Sequence, residues 1–557
     1  MSLPGRPKGE YRSAQREGAP VNLPAPTDTV SDASTWAPLR QPVFRMLWGV
    51  WMTANICMWM NDVAAAWLMT SLTTSPVMVA LVQSASTLPV LLLGLPSGAL
   101  ADILDRRRYF MATQFWVASV AVITCAVIVL GGMSAPLLLA LTFANGVGLA
   151  MRWPVFAAIV PELVARPQLS AALALNGIAM NASRIAGPIL AGALIASAGS
   201  AYVFVLNAVL SVLAGFAIRS WRREQKASTL PGERFWGAIR VGVQHVGQST
   251  RMHAVLLQVA LFFLQSTALL ALLPLVAKGL HGGDAGTFTL LLASMGSGAI
   301  TAAVFLPRLR LHITRDQLVR YGTLLHAAAT VAVSLAPHIY LAAPAMFAAG
   351  MAWISVANSL TLSAQLALPN WVRARGMSIY QMALMGGSAV GAALWGQVAT
   401  WTEVRTSLLC AAAAALVGLL LTRRLRFETA QEEDHTPTDA IRPLESVLSP
   451  DPLDGPVLVT VEYRIDPKHA QQFRDVMKES RRSRLRQGVL SWGLFRDTAD
   501  PGLYIEHFID ETWAEHLRRF DRMTAADLGL RERRLAFHVG DEPPVLKRRI
   551  AEPVDNR

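Results

Sequence analysis

Twelve separate stretches of this chain, all before residue 424, are long and almost wholly apolar. A run of roughly 20 such residues is what a helix needs to cross the hydrocarbon layer of a bilayer. The stretches fall at 45–70, 77–101, 109–131, 136–158, 170–197, 201–218, 254–276, 287–306, 318–336, 339–366, 377–398 and 404–422. They are continuously apolar and lack the period-2 alternation of a membrane strand, so the sequence predicts an all-α bundle rather than a barrel. Composition agrees, since 53% of the 557 residues are hydrophobic and only 16% charged. An ordinary soluble globular protein is thereby excluded.

Charge divides the chain in two. Residues 1–426 hold 30 Lys+Arg and 13 Asp+Glu, whereas residues 427–557 hold 20 and 25. Residues 1–42, rich in Pro, Ser, Arg and Glu, read as a disordered cytoplasmic leader with no cleavable signal. Loop charges set the orientation. Counting that leader as cytoplasmic, twenty basic residues fall on its side of the membrane, among them Arg106, Arg107, Arg108, Arg166, Arg308, Arg373 and Arg423, against Lys278 and Arg405 on the other. Both termini are therefore expected in the cytoplasm, in a multi-pass protein of the cell inner (plasma) membrane. The three cysteines, Cys57, Cys125 and Cys410, all lie in apolar runs and supply neither a disulfide framework nor a thiolate metal site.

The longest connection, 219–252, splits the bundle into 43–218 and 253–426. Its Phe235, Trp236, Ile239, Val243 and Val246 recur at helical spacing, as in a helix lying along the membrane surface. The two halves look related: an offset of 200 sets Gly98 over Gly298, and one of 204 sets Gly187 and Gly192 over Gly391 and Gly396. Such a 6+6 repeat is how alternating-access transporters are commonly built.

At the end of the second run stands Gly98-Ala-Leu-Ala-Asp102-Ile-Leu-Asp105-Arg106-Arg107-Arg108. Asp102 can accept from a neighbouring helix N-terminus, and Arg106 can pair with it or with another carboxylate on that face. This loop closely resembles the signature of the major facilitator superfamily at Gly98, Asp102, Arg106 and Arg107, and departs from it at Ile103 and Asp105. The resemblance implies twelve transmembrane helices and a conformational latch at this loop. The fifth run carries Gly187-Pro188 and Gly192. Small residues there permit close helix packing, and Pro188 interrupts the backbone ladder. This resembles the Gly-Pro motif of proton-coupled exporters of the same superfamily. Taken with the tail, residues 43–426 resemble the bacterial branch that includes enterobactin exporters and macrolide efflux proteins.

Charges inside the runs are few: Asp62, Arg152 and Arg184. Ionisable groups at membrane depth face a cavity or a partner. A rise of ~1.5 Å per residue places Asp62 and Arg184 ~26 and ~21 Å above the inner face, so an Asp62–Arg184 pair, with Arg152 nearby or at the rim, is a candidate proton-coupling device. Trp59, Asn61, Gln83, Asn145, Gln258 and Asn358 are candidates for the lining of a cavity suited to a bulky amphiphile.

Residues 427–456, with eight acids and five prolines, read as an acidic linker. Residues 457–550 then predict a β-α-β-β-α-β order, with strands at Val457–Ile465, Val489–Phe495, Leu503–Ile509 and near Val545. This resembles the small ferredoxin-like α+β domains of the antibiotic-biosynthesis monooxygenase type, which implies a homodimer through these residues. The spacing of His507, His516 and His538 matches no metal-ligand motif, and no catalytic arrangement stands out. The expected function is secondary active transport, with proton-coupled efflux of drug- or siderophore-like amphiphiles as the first reading. The alternatives are an importer or facilitator of the same fold, a membrane-anchored monooxygenase acting through the tail, and a sensor that binds ligand and signals through the tail without net flux. The expected partners are a small organic substrate, protons and the lipid bilayer, with no cofactor, metal or nucleic acid. No Walker-type phosphate loop occurs in the connecting segments.

Overall fold

The computed structural model describes residues 36–164, 168–221, 235–281, 283–369, 371–425, 434, 436, 438, 450–540 and 542–552. Most of the leader, the middle of the 219–252 connection with its basic residues, Arg166, and most of the acidic linker lie outside the described residues.

Two sets of six long helices make the bundle. The first is α1 (Pro42–Leu72), α2 (Pro76–Ile103), α3 (Arg106–Val129), α4 (Ala135–Leu163), α5 (Leu169–Ala198) and α6 (Ser200–Ser220). After α7 (Phe235–Gly247) comes the second: α8 (Thr250–Gly279), α9 (Ala285–Leu309), α10 (Arg315–Leu335), α11 (Ile339–Leu366), α12 (Arg373–Trp401) and α13 (Val404–Thr422). Eleven of these helices among the described residues are long and apolar enough to cross a membrane. The twelfth, α1, has the length at 31 residues but carries Asn55, Asn61 and Asp62 inside it. Local chemistry sets several starts. Asp105 accepts from the Arg108 backbone N–H and opens α3, while Asp284 with Thr287 and Thr314 with Gln317 form capping boxes on α9 and α10.

The glycines paired by the repeat occupy equivalent places. A Cβ on Gly187 would overlap Trp59 of α1, and one on Gly391 would overlap the Leu264 carbonyl oxygen of α8, so the fifth helix of each half packs on its first. Gly192 meets Thr289 of α9 and Gly396 meets Ala80 of α2, so the same helices also pack on the second helix of the opposite half. Gly98 faces Pro154 of α4, and Gly298 faces Phe347 of α11. Close backbone approach through small residues is what holds membrane helices together where burial of apolar area contributes little. Gly391→Ala should therefore lower the thermal midpoint of the detergent-purified protein, by an amount corresponding to about 1–3 kcal/mol of overpacking. An unchanged midpoint would show that α12 can move away from α8 freely.

The apolar core is distributed unevenly along the bundle axis. At the end away from the arginine-rich loops, one buried cluster runs through both halves, joining Met60, Val79 and Ile195 to Leu269, Leu292, Met346 and Leu408. At the arginine-rich end the cores are separate, one built on Phe44, Trp51, Phe110 and Phe156, the other on Val255, Trp353, Leu360 and Tyr380. The halves share apolar packing at one end and, apart from the seam where Gly94 of α2 meets Met382 of α12, keep their own cores at the other. Lys278 Nζ donates to the Thr70 carbonyl at 2.8 Å and lies over Trp67, which stacks on Phe288, closing the shared end.

The tail is a small α+β unit: β1 (Val457–Arg464), α14 (Ala470–Arg486), β2 (Ser491–Arg496), β3 (Leu503–Asp510), α15 (Trp513–Asp521), α16 (Ala525–Leu535) and β4 (Val545–Ile550). The sheet order is β2-β3-β1-β4, with every neighbouring pair antiparallel, which is the ferredoxin-like arrangement. Where one helix is expected between β3 and β4, the chain makes two, because Thr524 with Asp527 forms a capping box that starts α16 anew.

The connection helix α7, expected along the membrane surface, also meets the tail. Trp236 and Val243 are exposed, while Val241 and Val246 are buried. Arg240 pairs with Glu511 at 2.6 Å, Gln244 donates to the Val489 carbonyl at 2.9 Å, and the His245 ring lies 3.2 Å from the Arg486 carbonyl. Gly488, at φ +103°, brings the tail backbone against Val241, a conformation and an approach that a side chain would obstruct. Arg522 of the tail also lies 5.1 Å over Trp371, in the α11–α12 loop. The tail is thus tied to α7 through Arg240, Val241, Gln244 and His245, while Trp236 and Val243 of the apolar stripe stay exposed.

Candidate functional site

Mid-depth in the bundle, Asp62 of α1, Arg152 of α4 and Arg184 of α5 are all enclosed, but they do not form one cluster. Asp62 Oδ1 accepts from Ser86 Oγ of α2 at 2.8 Å. Among the described residues no ion pair joins Asp62 to either arginine, so the expected Asp62–Arg184 pair is not formed. The reason is local. Gly187 seats α5 against Trp59, and the Arg184 guanidinium lies 5.5 Å over that ring, while Asp62, three positions on from Trp59, is bonded to α2 instead.

Arg184 sits between the halves. Its guanidinium lies over Trp59 of α1 and, at 4.5 Å, over Trp353 of α11, with its Nε buried and without a hydrogen-bond partner. In the same buried cluster as Trp353, Tyr380 of α12 shares a 3.1 Å hydrogen bond with Thr361. Arg152 is deep rather than at the rim: it is 2% exposed, donates from Nη1 to the Ala54 carbonyl at 3.2 Å, and lies 5.6 Å over Trp51. Trp51 in turn stacks flat on Phe156 at 4.1 Å. The Nε and Nη2 of Arg152 are buried without partners.

Magnitudes matter for both arginines. Placing a cation over an aromatic face contributes about 2 kcal/mol when desolvated, whereas removing a guanidinium from water costs several kcal/mol per ion after relaxation. Ring contacts and one carbonyl leave that balance unfavourable.

The amides separate into two groups. Asn61 and Asn145 line a small pocket inside the first half with Thr124 and Thr142, and Asn61 is bridged by Asn207 at 3.4 Å, itself bonded to Ser211. Gln83, Gln258 and Asn358 are half-buried, and Gln258 Oε1 is buried without a partner. Trp353, Tyr380 and the buried His326 of α10 were not singled out from the sequence. An aromatic or histidine in an apolar helix reads the same whether it faces lipid or the interior.

At the loop between α2 and α3, Arg106 pairs with Glu162 of α4 at 2.6 Å and donates to the Ala101 carbonyl at 3.3 Å, and Arg107 donates to the Arg219 carbonyl. The loop therefore ties α3 to α4 and α6 at the arginine-rich end. The Asp102 side chain lies outside the described residues.

In the tail, the polar residues make two buried networks. Glu506, 0% exposed, accepts from Tyr463 Oη, Trp492 Nε1 and Arg484 Nε at 3.0, 3.0 and 3.2 Å, with Arg534 at 3.7 Å. Asp510 is bonded to His516 at 2.7 Å and Arg519 at 3.4 Å. His507 lies against Phe495, while His538 is bonded to the Arg464 backbone N–H, so the three histidines do not converge. Burial alone raises the Asp510 carboxyl and lowers the His516 imidazolium. The Arg519 charge and the His516 bond bring Asp510 below the usual carboxylate range, while His516 stays below the usual imidazole value despite Asp510.

Two six-helix halves related by an internal repeat, with Arg184 enclosed where they meet, have the form of a secondary transporter of the major facilitator type. The chain belongs to the transmembrane secretion effector family of that superfamily, whose profile matches residues 33–555 and so takes in the tail as well as the bundle. No curated protein sequence matches the chain. Among solved structures it is similar in fold to the nucleoside transporter NupG, at 12% identity and a TM-score of 0.55, over 68% of this chain and 98% of that one. A bacterial homolog of the human lysosomal transporter Spinster, inward-facing and unoccupied, aligns at 14% identity and a TM-score of 0.54, over 69% and 97%. A peptide transporter of the POT family, described as auto-inhibited, gives 13% and 0.54, over 69% and 97%.

Proposed function

We propose that this protein is a proton-driven exporter of amphiphilic organic molecules in a bacterial inner membrane, working by alternating access with both termini in the cytoplasm. The observation that carries this reading is the enclosure of three charged side chains in the bundle, Asp62 and Arg152 within the first half and Arg184 between Trp59 and Trp353 of opposite halves. A simple anchor has no use for charges that are expensive at membrane depth. The arginine-rich end is assigned to the cytoplasm by the positive-inside rule, which makes the described arrangement open towards the cytoplasm and ready to load. Asp62, held by one hydroxyl in a site removed from water, is the proton-responsive group in this reading. The loop at Gly98, Asp102, Arg106 and Arg107 is the latch, and Gly187, Pro188 and Gly192 form the packing surface on which α5 shifts.

The tail serves assembly in this reading. Its sheet leaves β2 and β4 as edges, and pairing through residues 457–550 would cover them. Its buried acids are already bonded to arginines, tyrosine and tryptophan, which favours a structural domain over a monooxygenase.

In proteoliposomes with an imposed pH gradient, a panel of dyes, macrolides and siderophores should include a molecule that moves against the direction of proton flow. Movement in the same direction as protons would make the protein an importer. Absence of flux, with oxidation of a quinol-like substrate by the tail, would transfer the function to that domain.

A further inference from the structure

The charge in the middle of the bundle does not balance. Apart from His326, Cys57 and the neutral phenol of Tyr380, the ionisable side chains described there are two arginines and one carboxylate, and the carboxylate is bonded to Ser86. Arg184 is the arginine that stands between the halves: one ring over it, Trp59, belongs to the first half, and the other, Trp353, to the second. Both rings turn their faces to it. The edge of the guanidinium, where its N–H groups point, has no acceptor among the described residues, and Nε is buried in that condition. A planar fork of N–H donors matches a carboxylate or sulfonate in geometry and in charge, and two indoles from opposite halves offer flat apolar walls beside it.

We propose that Arg184, framed by Trp59 and Trp353, is the binding group for an organic anion, so that the cargo is an amphiphile carrying an acidic group next to a flat apolar body. This rests on the transporter reading and narrows it by charge. An anion at this place touches both halves at once. Its arrival supplies the counter-charge that Asp62 does not, and its departure leaves the guanidinium unbalanced again, which couples occupancy to the relation between α5 and α11.

The test compares two dyes of one skeleton and opposite charge: fluorescein and the cationic methyl ester of rhodamine. Binding is measured by fluorescence polarisation on the full-length protein in phosphatidylcholine nanodiscs at about pH 8, where fluorescein is anionic. Fluorescein should bind at least ~10-fold more tightly than the cation. Arg184→Gln should erase that preference at an unchanged melting temperature, and Arg184→Lys, which keeps the charge but not the fork, should retain part of it. If Arg184→Gln does not fold, the dye comparison on the unaltered protein and on Arg184→Lys decides. Equal or tighter binding of the cation, binding of neither dye, or an Arg184→Gln protein that holds fluorescein as well as before would overturn the proposal. Loss of fluorescein binding when phosphatidylglycerol is added to the discs would assign the site to a lipid headgroup and overturn it as a cargo site. Counterflow separates the two readings. Arg184-dependent fluorescein binding without counterflow of any dye leaves the anion site standing and removes the transporter function. Counterflow of the cation alone keeps the transporter and removes the anion site.

Discussion

Asp62→Asn should abolish substrate movement driven by a pH gradient, by roughly 100-fold or more, equivalent to about 3 kcal/mol in the coupled step, while exchange of substrate at equal pH continues. The substitution is nearly isosteric, and an asparagine oxygen still accepts from Ser86 Oγ, so the α1–α2 contact survives. What disappears is the only carboxylate described at mid-depth, and with it the site where a proton can be held as the bundle changes state. Gradient-driven accumulation and equal-pH counterflow in the same proteoliposomes separate these effects. Gradient-driven flux that equals that of the unaltered protein would remove Asp62 from the coupling path, and loss of both activities together would mark it as a structural residue. Ser86→Ala should have a smaller effect of the same kind, since it removes one hydrogen bond from the charged form without removing the charge.

The bundle was legible in the sequence for a simple reason: in lipid every backbone polar group is satisfied within its own helix, so long apolar runs translate almost one for one into α1 to α6 and α8 to α13. The weak repeat was legible too, because Gly187 and Gly391 do the same work against α1 and α8, and a position that admits no Cβ leaves a mark in the sequence. Partner choice was less legible. Asp62 and Arg184 were placed at compatible depths, but depth does not fix the side of a helix, and Gly187 sets α5 so that Arg184 lies over Trp59 rather than beside a carboxylate. The tail contacts of α7 were not legible, because Arg240, Gln244 and His245 beside an apolar stripe look like any solvated polar face of an amphipathic helix. Gly488, far along the chain from Val241, has the backbone conformation that lets the tail approach this helix. Trp353 and Tyr380, which complete the surroundings of Arg184, gave no signal because aromatic residues are common on every face of a membrane helix.

Glu506→Gln should unfold the tail while leaving the bundle intact. Burial by itself pushes the Glu506 carboxyl up, but the Arg484 and Arg534 charges and the bonds from Trp492 and Tyr463 outweigh it and hold the group at about 2, below the ordinary 4.5. A carboxyl depressed on folding stabilises the folded state above its unfolded value and loses that contribution as pH falls towards the folded one. The contribution is therefore fully present above about pH 5 and fades between there and about pH 2, with a size on the order of 3 kcal/mol. Glutamine fits the space, but its one oxygen can accept from Trp492 or from Tyr463 and not from both, since they bond different oxygens of Glu506, and it leaves Arg484 and Arg534 enclosed with no negative charge between them. Removing one partner from such a buried set typically costs about 3–5 kcal/mol, comparable with what a core the size of this sheet and its helices supplies. Hydrogen exchange on the full-length protein in nanodiscs reads the result by region. Protection should collapse in β1 and β3, whose residues carry Tyr463 and Glu506, and persist in α8 and α12. Lowering the pH of the unaltered protein to about 3 should reproduce the same pattern in part, since the carboxylate is then close to its folded midpoint. Full protection of β1 in the variant would show that the arginines find other acceptors, and would reopen the network as a place where charge is carried for a purpose other than holding the domain together.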